Sequence, residues 1–398
     1  MTQARLNLLD PAFRAWPYPH YARLRRESPV CQVEPGGIWA VTRYDDIMTV
    51  LKNTQVFSSE GMALAFKPPW LERNPVAASV SFTDPPRHAP LRALISRAFN
   101  TASIARLEPL LRSVAEQCVS NMIKQGEVDL VDSFTLPIPA AAIAELLGMD
   151  ASMRPIFRRW STDMAAIGTV MPDDVKRQQE IRTTISEMEE FLGAELEKRR
   201  RNPTNDLISE LMRGEIEGRK LTHDELMTFC FTLLPAGLET TVNQLGLACT
   251  ILLNQPELQA KVHANREELL PRFVEELLRY EPVAHGLMRI TTTDATLGGV
   301  TIPKHSMVMV MLASACHDES QYPNPDQFDL TRPGPHNVGF GHGIHFCVGA
   351  SLARLETRVA LDVLLSRCII SKTEAPVQWS MSLAVRGPAV VPAKVRAA

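Results

Sequence analysis

The run FGHGIHFCVG at residues 340–349 places three glycines, two histidines and one cysteine within ten positions. Cysteine and histidine are metal ligands. Glycine lets a backbone turn sharply or approach a bound group closely. Three interpretations are therefore open: a metal site, a phosphate-binding loop, or an ordinary turn beside an inert buried cysteine.

The spacing within this run disfavours two familiar kinds of site. Gly341 and Gly343 lack the third glycine of the G-x-G-x-x-G fingerprint that binds dinucleotide phosphates. Structural zinc usually takes spaced pairs of ligands from two arms of the chain, whereas the candidates here fall within a dozen residues. Those candidate ligands are His336, His342, His345 and Cys347. On this window alone, zinc and the inert cysteine both stay open.

A haem-thiolate site accounts for more of these residues. A cysteine thiolate as the axial ligand pushes electron density onto the iron and favours O–O cleavage. A helix that starts just after Cys347 would direct its positive end at the thiolate. Phe340 would pack beside the ligand and limit water. The glycines would let the backbone touch a porphyrin face, and they are Gly341, Gly343 and Gly349.

The pattern F-G-x-G-x-H-x-C-x-G resembles the signature of the cytochrome P-450 haem-thiolate monooxygenases, and residues 340–349 match every fixed position. The resemblance implies that Cys347 is the iron ligand and that Phe340, His345 and Gly349 help to bind the cofactor. It also implies a mainly α fold with a minor β region, in a single domain over residues 1–398. The cofactor would be haem b (iron protoporphyrin IX), held between a long central helix and the cysteine-loop helix.

A second motif, LLPAGLETT at residues 233–241, is similar to the family's oxygen-binding helix. Ala236 and Gly237 would let that helix lie close over the haem. Glu239 and Thr240 would be catalytic, the threonine hydroxyl hydrogen-bonding dioxygen while the acid relays protons. Without the cysteine loop, a threonine bonded back to the carbonyl four residues earlier would be the simpler interpretation. Pro235 departs from the family pattern and predicts extra distortion of the helix.

Charged residues elsewhere match the family in the same order along the chain. Glu276 and Arg279 share one helix face, and alone they would be read as a surface ion pair. The resemblance implies a buried structural triad with Arg332, in the meander NPDQFDLTRP. Two haem propionates would need buried donors. Their donors by resemblance are His88, Arg92, Arg289 and His345.

By the same resemblance, the substrate pocket is formed by residues 61–72, 164–171, 233–234, 283–288 and 380–384. The side chains expected to line it are Met62, Leu64, Phe66, Leu233, Leu234, Val283, His285, Leu287 and Met381. Many of these could equally be core residues. An apolar lining rich in methionine adapts to irregular ligands. It predicts a bulky, mostly aliphatic substrate: a terpenoid, steroid, fatty acid or polyketide.

The elements that must position these residues are mostly helical. A capping box at Thr222 and Glu225 begins a long helix that ends before Pro256. A helix over 350–368 presents Leu352, Leu355, Val359 and Val363 on one face. Pro35-Gly36-Gly37 between two β-prone runs predicts a hairpin. No internal repeat or flexible linker is evident.

Composition limits the compartment and the partners. The 398 residues are 45% hydrophobic and carry a net charge of −3, so no basic excess suggests nucleic acid. Seven scattered cysteines without a C-x-x-C pair fit a reducing cytosol. No signal peptide is expected, and the most apolar stretch, residues 136–149, is too short to span a membrane. We therefore expect a soluble, cytoplasmic monomer.

The implied reaction inserts one oxygen atom of O2 into a C–H or C=C bond, in secondary metabolism. The chain has no iron–sulfur spacing and no dinucleotide fingerprint. Its electrons would come from NAD(P)H through an external ferredoxin and ferredoxin reductase, docking near Arg97 and Arg354. Three alternatives stay open: oxidative coupling on the same fold, peroxide-driven oxidation, and a haem sensor without turnover.

Overall fold

Helices make up most of the structure, a computed structural model that describes residues 5–65, 67–168, 170–333, 337–380 and 382–398. The α-helices are α1 (Pro11–Ala15), α2 (Tyr18–Glu27), α3 (Tyr44–Lys52), α4 (Glu60–Ala65), α5 (His88–Ala98), α6 (Thr101–Ala105), α7 (Glu108–Gln125), α8 (Pro137–Leu146), α9 (Arg154–Ala166), α10 (Val175–Arg201), α11 (Leu207–Arg213), α12 (His223–Asn254), α13 (Pro256–Ala264), α14 (Arg266–Tyr280), α15 (Leu312–Ala315) and α16 (Ala350–Arg367). A π-helical turn spans Val131–Thr135.

The β portion is small and is split among several sheets. Its strands are β1 (Val30–Val33), β2 (Ile38–Val41), β3 (Phe57–Ser58), β4 (Glu127–Asp129), β5 (Glu215–Ile216), β6 (Arg219–Lys220), β7 (Leu287–Thr291), β8 (Ala295–Leu297), β9 (Val300–Ile302), β10 (Met307–Val310), β11 (Cys368–Lys372), β12 (Gln378–Trp379), β13 (Pro388–Val390) and β14 (Pro392–Ala397). The largest sheet has the order β1-β2-β10-β7-β3, in which β10 runs parallel to β2 and antiparallel to β7.

The predicted hairpin is confirmed at the edge of this sheet. β1 pairs antiparallel with β2, with Val33 opposite Ile38. Gly36 and Gly37 between them take φ values of 78° and 65°, which side chains disfavour. The hairpin therefore depends on both glycines.

Helix α12 runs through the centre of the molecule. The Thr222 hydroxyl accepts a hydrogen bond from the Glu225 N–H at 3.2 Å, and the Glu225 carboxylate accepts one from the Thr222 N–H at 2.8 Å. This capping box satisfies two otherwise unpaired donors at the helix start. The helix continues through Pro235 and ends at Asn254. It packs against α8, α9 and α16, which encloses its middle turns on several sides.

Helix α16 begins directly after the cysteine loop. Leu352, Val359 and Val363 are buried, and Leu355 packs partly buried against the same core, as the periodicity predicts. The helix packs along α7 and also contacts α12 and α14. The position of the loop that precedes α16 is thereby fixed relative to the central helix. Within the described ranges, no helix is both long and apolar enough to traverse a lipid bilayer.

Candidate active site

The cysteine loop is a tight turn whose shape is fixed by glycine. Gly341 and Gly343 have φ values of 74° and 73°. The Cys347 N–H donates to the Phe340 carbonyl at 3.0 Å and closes the loop on itself. A Cβ on Gly343 would lie 2.9 Å from the Leu51 carbonyl oxygen, so this glycine also permits contact with α3. The glycines thus set the position of Cys347 relative to α16.

Cys347 faces a cavity. Its side chain is accessible, although desolvation by the surrounding protein raises the pKa of the thiol. An accessible side chain and a desolvated thiol are both explained by a sulfur atom that points into a cavity shielded from bulk water. The Gly349 N–H, Arg92 and Arg354 oppose the rise and favour the thiolate. A metal cation bound to this sulfur would complete the deprotonation.

The cavity separates the cysteine loop from α12 and has an empty volume of about 1160 Å³. Cys347, Phe346 and Val348 lie on one side and Ala236 on the other. The rest of its lining is Ala78, Ser79, Val80, Ser81, Leu91, Arg92, Leu94, Ile95, Phe99, Leu221, Glu225, Thr228, Phe229, Thr232, Leu233, Leu287, Arg289 and His345. Its mostly apolar walls suit a flat, hydrophobic cofactor together with an apolar ligand.

Buried donors without partners lie around this cavity. Arg289 is buried, and its Nε has no hydrogen-bond partner; the same holds for Nε2 of His88. Burial lowers the pKa of Arg289 to about 10, which shows a guanidinium without sufficient counter-charge. Arg92 lines the same cavity. A buried cation of this kind requires an anion, and the carboxylates of a haem would supply it.

His345 joins this group from the cysteine loop. Its ring lies 4.6 Å from that of His88, centroid to centroid, and its Nε2 lies 3.2 Å from the Ser59 hydroxyl. Nearby, burial would raise the pKa of Asp84, but hydrogen bonds from His345, Ser58 and two backbone amides hold it well below its usual range. The structure therefore gathers His88, Arg92, Arg289 and His345 at one edge of the cavity. The donor set and the Cys347 sulfur fit haem.

Among the described residues, no group of three or more His, Cys, Asp or Glu could hold a metal ion by itself. His342, His345 and Cys347 thus do not converge as zinc ligands, and His336 lies outside the described residues. A porphyrin, which brings its own ligands to the metal, is compatible with a single protein ligand at Cys347.

The two halves of the oxygen-binding motif point in different directions. Ala236 faces the cavity, whereas a Cβ on Gly237 would meet Cδ1 of Ile143 at 2.4 Å, on the side of α8. Gly237 therefore allows close packing of two helices. The Thr240 hydroxyl donates to the Ala236 carbonyl at 2.6 Å, which is the back-bonded arrangement. Its oxygen keeps lone pairs that can accept a further hydrogen bond.

The predicted structural triad is assembled by α14 and the meander. The Glu276 carboxylate accepts hydrogen bonds from Nε and Nη2 of Arg279 at 2.9 and 2.7 Å and from Nε of Arg332 at 3.2 Å. Both arginines also bind carbonyls of the meander, including that of Gln327. The charges are buried and shared, which links α14 to the chain that leads into the cysteine loop.

Only part of the expected substrate pocket lines this cavity. Leu233 and Leu287 do. Met62, Leu234 and Val283 are buried elsewhere in the core. The side chain of Leu64 and the residues Phe66 and Met381 lie outside the described residues. The expectation that the 380–384 stretch lines the pocket is not supported, because Ser380 and Ser382 border a different cleft.

His285 belongs to a buried polar cluster and does not line the cavity. Its Nδ1 lies 2.9 Å from the Tyr21 hydroxyl, and its backbone N–H donates to the Ala384 carbonyl. Burial lowers the pKa of His285 well below its usual value, so the ring is neutral. Its contacts are those of a structural histidine that joins α2 to the C-terminal loop.

Sequence reasoning missed several lining residues for which a signal existed. Glu225, Thr228, Phe229 and Thr232 precede Ala236 at helical spacing, so the face that carries Ala236 could have been followed back along α12. Leu91 and Ile95 likewise share α5 with His88. The cavity is therefore walled by the first half of α12 and by α5.

Glu356 on α16 was also missed, and no local pattern could have found it. It is 1% exposed, and neither carboxylate oxygen has a hydrogen-bond partner. Burial raises the pKa of Glu356 to about 8. It is therefore a neutral carboxylic acid at pH 7.

Arg289 offers a direct check on the cofactor fit. We expect Arg289→Gln to weaken haem retention by about tenfold, because a buried charge-assisted bond to a carboxylate is lost. The measurement is the transfer of haem to apomyoglobin, followed by absorbance. Arg87→Gln is the matched control, since Arg87 pairs with Glu60 at the surface. Equal haem loss from both variants would contradict the assignment.

Known proteins place this geometry in a family. A family model described as Cytochrome P-450 matches residues 20–385. The vitamin D(3) 25-hydroxylase of Pseudonocardia autotrophica is 36% identical over 368 residues, covering 90% of this chain and 88% of the relative. The 6-deoxyerythronolide B hydroxylase of Saccharopolyspora erythraea is 34% identical over 398 residues, covering 96% of each. The solved structure of cytochrome P-450 CYP109Q5 from Chondromyces apiculatus has a TM-score of 0.90 and 38% identity, covering 99% of each chain. With the cysteine loop, the cavity and these relatives in agreement, the chain belongs to the cytochrome P-450 family.

Proposed function

We propose that this monooxygenase inserts one oxygen atom of O2 into a C–H or C=C bond of a bulky, mostly apolar small molecule. The observation that carries the proposal is the cavity between Cys347 and Ala236, at whose edge Nε of Arg289 and Nε2 of His88 have no hydrogen-bond partner. Haem held there by Cys347 would supply the activation of dioxygen. Arg92, Arg289, His88 and His345 would hold its carboxylates.

The walls beyond the cofactor would select and hold the substrate. Phe99, Phe229 and Leu233 present apolar surface from two helices. Burial of apolar surface stabilises a complex by roughly 25 cal/mol per Å² and carries little directional preference. Relatives are named for hydroxylation of vitamin D(3) and of 6-deoxyerythronolide B. These features support a terpenoid, steroid, fatty acid or polyketide as the substrate.

Glu239 and Thr240 would transfer the protons that the reaction consumes. Burial raises the pKa of Glu239 to about 7, so the acid and the carboxylate are both populated near neutral pH. That is the range in which a carboxyl group both gives and regains a proton efficiently. Thr240 is the next residue on α12, and its hydroxyl oxygen keeps lone pairs that can accept a hydrogen bond.

We expect the pH profile of product formation to report Glu239. The protonated acid predominates below pH 7 and is lost as the pH rises through about 7, so proton delivery should fall on the alkaline side. Glu239→Gln should lower the rate by about 10²-fold and remove this alkaline limb. Product formation measured from pH 5.5 to 9 in wild type and variant checks it. An alkaline limb that persists in Glu239→Gln would assign the titration to another group.

Electrons would come from an external ferredoxin and an NAD(P)H-dependent reductase. Arg97 is exposed at the end of α5 and could face an acidic donor. Arg354 is less suited than expected, because its Nε already pairs with Glu275 at 2.5 Å and its guanidinium stacks over Phe340. Any docking charge would therefore come mainly from residues other than Arg354.

The experiment for the proposed function is a substrate screen by the haem absorption band, followed by turnover with surrogate ferredoxin and reductase. A product heavier by one oxygen atom, labelled when ¹⁸O₂ is supplied, is the expected result. Loss of two hydrogens without label would instead show oxidative coupling. Turnover that requires added peroxide in place of reductase and NADPH would show peroxide-driven oxidation.

A further inference from the structure

The haem cavity extends along α12, and the two ends of this helix segment differ in character. Glu225 in the first turn and Ala236 further along both line the cavity. At a rise of about 1.5 Å per residue, Ala236 lies about 16 Å from Glu225 along the helix axis. The motif proposed to bind oxygen begins at Ala236, so a carbon that is oxidised belongs at that end of the cavity.

The hydroxyl side chains among the described lining residues differ in how their hydrogen-bonding capacity is used. They are Ser79, Ser81, Thr228 and Thr232. The Thr232 hydroxyl donates to the Thr228 carbonyl at 2.7 Å. Ser81 is exposed to solvent, and the Ser79 oxygen is enclosed by protein atoms. Thr228 is therefore the hydroxyl that remains for a ligand in the cavity.

The Thr228 side chain departs from the pattern of other threonines on its helix. Thr232, Thr240 and Thr250 each donate back to the carbonyl four residues earlier. None of the described residues forms a hydrogen bond with the Thr228 hydroxyl, although the residue is only 7% exposed. A largely buried hydroxyl without a partner is destabilising. An oxygen atom of a ligand in the cavity would satisfy it.

The charge beside Thr228 disfavours charged ligands. Glu225 lies three residues earlier and therefore shares its helix face. The Glu225 carboxylate accepts hydrogen bonds from Nη2 and Nη1 of Arg219 at 2.7 and 2.8 Å. The Arg219 guanidinium, more than any other contact, lowers the pKa of Glu225 to about 2, so this acid is charged near neutral pH. A ligand amine would have to displace Arg219, and a ligand carboxylate would be repelled by Glu225. A neutral oxygen meets neither obstacle.

We propose that Thr228 is a specificity-determining residue whose hydroxyl binds a neutral hydroxyl or carbonyl oxygen of the substrate, about two helical turns from the carbon that is oxidised. Thr228 precedes Ala236 by eight residues, which is about 12 Å along the axis. The inference rests on the proposed function of the cavity and narrows its substrate class. Steroid alcohols and ketones and hydroxylated polyketides fit, whereas a terpene hydrocarbon and a fatty-acid carboxylate do not.

The test measures binding of two probe pairs to haem-loaded protein by equilibrium dialysis, without reductase. Each pair is an alcohol and the hydrocarbon that lacks its oxygen: 5α-androstan-3β-ol with 5α-androstane, and 1-dodecanol with dodecane. Loss of one neutral hydrogen bond raises Kd by about three- to tenfold. We expect Thr228→Val to weaken binding of the alcohols by this factor and to leave binding of the hydrocarbons unchanged. Thr228→Ser keeps a hydroxyl and should restore alcohol binding.

The position of oxidation is a second measurement. During turnover of 5α-androstan-3β-ol with surrogate ferredoxin and reductase, the new oxygen should enter at the end of the steroid opposite its hydroxyl, as located by NMR. Thr228→Val should lose this positional preference. Thr232→Val is the matched control, because the Thr232 hydroxyl is already bonded to a helix carbonyl. Its ratio of alcohol to hydrocarbon affinity should equal that of the wild type.

Three results would overturn the proposal. Equal loss of alcohol and hydrocarbon affinity in Thr228→Val would show lost packing in place of a lost hydrogen bond. Wild-type protein that binds neither alcohol would show that the cavity does not take this class of ligand. A new oxygen on the ring that already carries the hydroxyl would place the polar end of the steroid near Ala236.

Failure of this inference differs from failure of the proposed function. Alcohol binding that depends on Thr228, without label from ¹⁸O₂ in any product, would overturn the monooxygenase activity and keep the binding role of Thr228. Label in the product together with alcohol binding that is unchanged in Thr228→Val would overturn the role of Thr228 alone.

Discussion

Cys347→Ser should abolish the thiolate signature of the haem and reduce product formation to background, while the chain still folds. A serine hydroxyl stays protonated near neutral pH and is a poor substitute for an anionic sulfur ligand. The loop should keep its shape, because the turn is set by Gly341, Gly343 and the hydrogen bond from residue 347 N–H to the Phe340 carbonyl. The measurement is the spectrum of the reduced, carbon monoxide-bound protein.

Cys31→Ser is the matched control for this experiment. Cys31 is a half-buried thiol on β1 that is not part of the cavity lining. Its substitution should leave both the carbon monoxide spectrum and the rate unchanged. A thiolate-type spectrum in Cys347→Ser would show that another residue ligates the iron, and the interpretation of the cysteine loop would fall with it.

The fold was predictable because its strongest signals are local. The cytochrome P-450 fold and its mainly α character are confirmed. The capping box at Thr222 begins α12 as predicted, and the Gly36–Gly37 turn forms the predicted hairpin. The capping box and the hairpin turn each depend on residues a few positions apart. The conformational preferences of these residues do not require contacts with distant parts of the chain.

Local reasoning did not show which protein neighbours require particular glycines. Gly237 and Gly343 were expected to bring backbone close to the cofactor. In the structure, Gly237 makes room for Ile143 and Gly343 makes room for the carbonyl of Leu51. A sequence shows that a glycine is present, but the neighbour that requires it comes from another part of the chain. The structural role of a glycine therefore depends on tertiary contacts.

The pocket was the least predictable part of the site for the same reason. Leu233 and Leu234 are adjacent apolar residues on α12, yet one lines the cavity and the other is fully buried. Composition cannot separate them; only the helix face does. The buried, unpartnered Asn243 and Glu356 depend in addition on which helices pack around them, and that information is absent from any short stretch.

The second large effect is expected from Glu276→Gln, which should destabilise the protein by about 3–5 kcal/mol. The change removes the negative charge that Arg279 and Arg332 share and leaves two guanidinium groups without it. Glu276 also accepts a hydrogen bond from the Asp329 N–H at 2.9 Å, so the meander loses an anchor. Urea unfolding followed by circular dichroism, together with the haem content of the purified protein, measures both consequences.

The loss of stability caused by Glu276→Gln should extend to the cysteine loop, because the backbone just before this loop contacts α14. Gly339 packs so closely on α14 that a Cβ there would lie 2.7 Å from the Leu278 carbonyl oxygen, one residue before Arg279. Loosening α14 and the meander should therefore lower haem retention as well as stability. Glu275→Gln is the matched control, because Glu275 pairs with the partly exposed Arg354, and such pairs contribute about 0–1 kcal/mol. If Glu276→Gln cost no more than Glu275→Gln, the buried triad would not be what holds the cysteine loop in place.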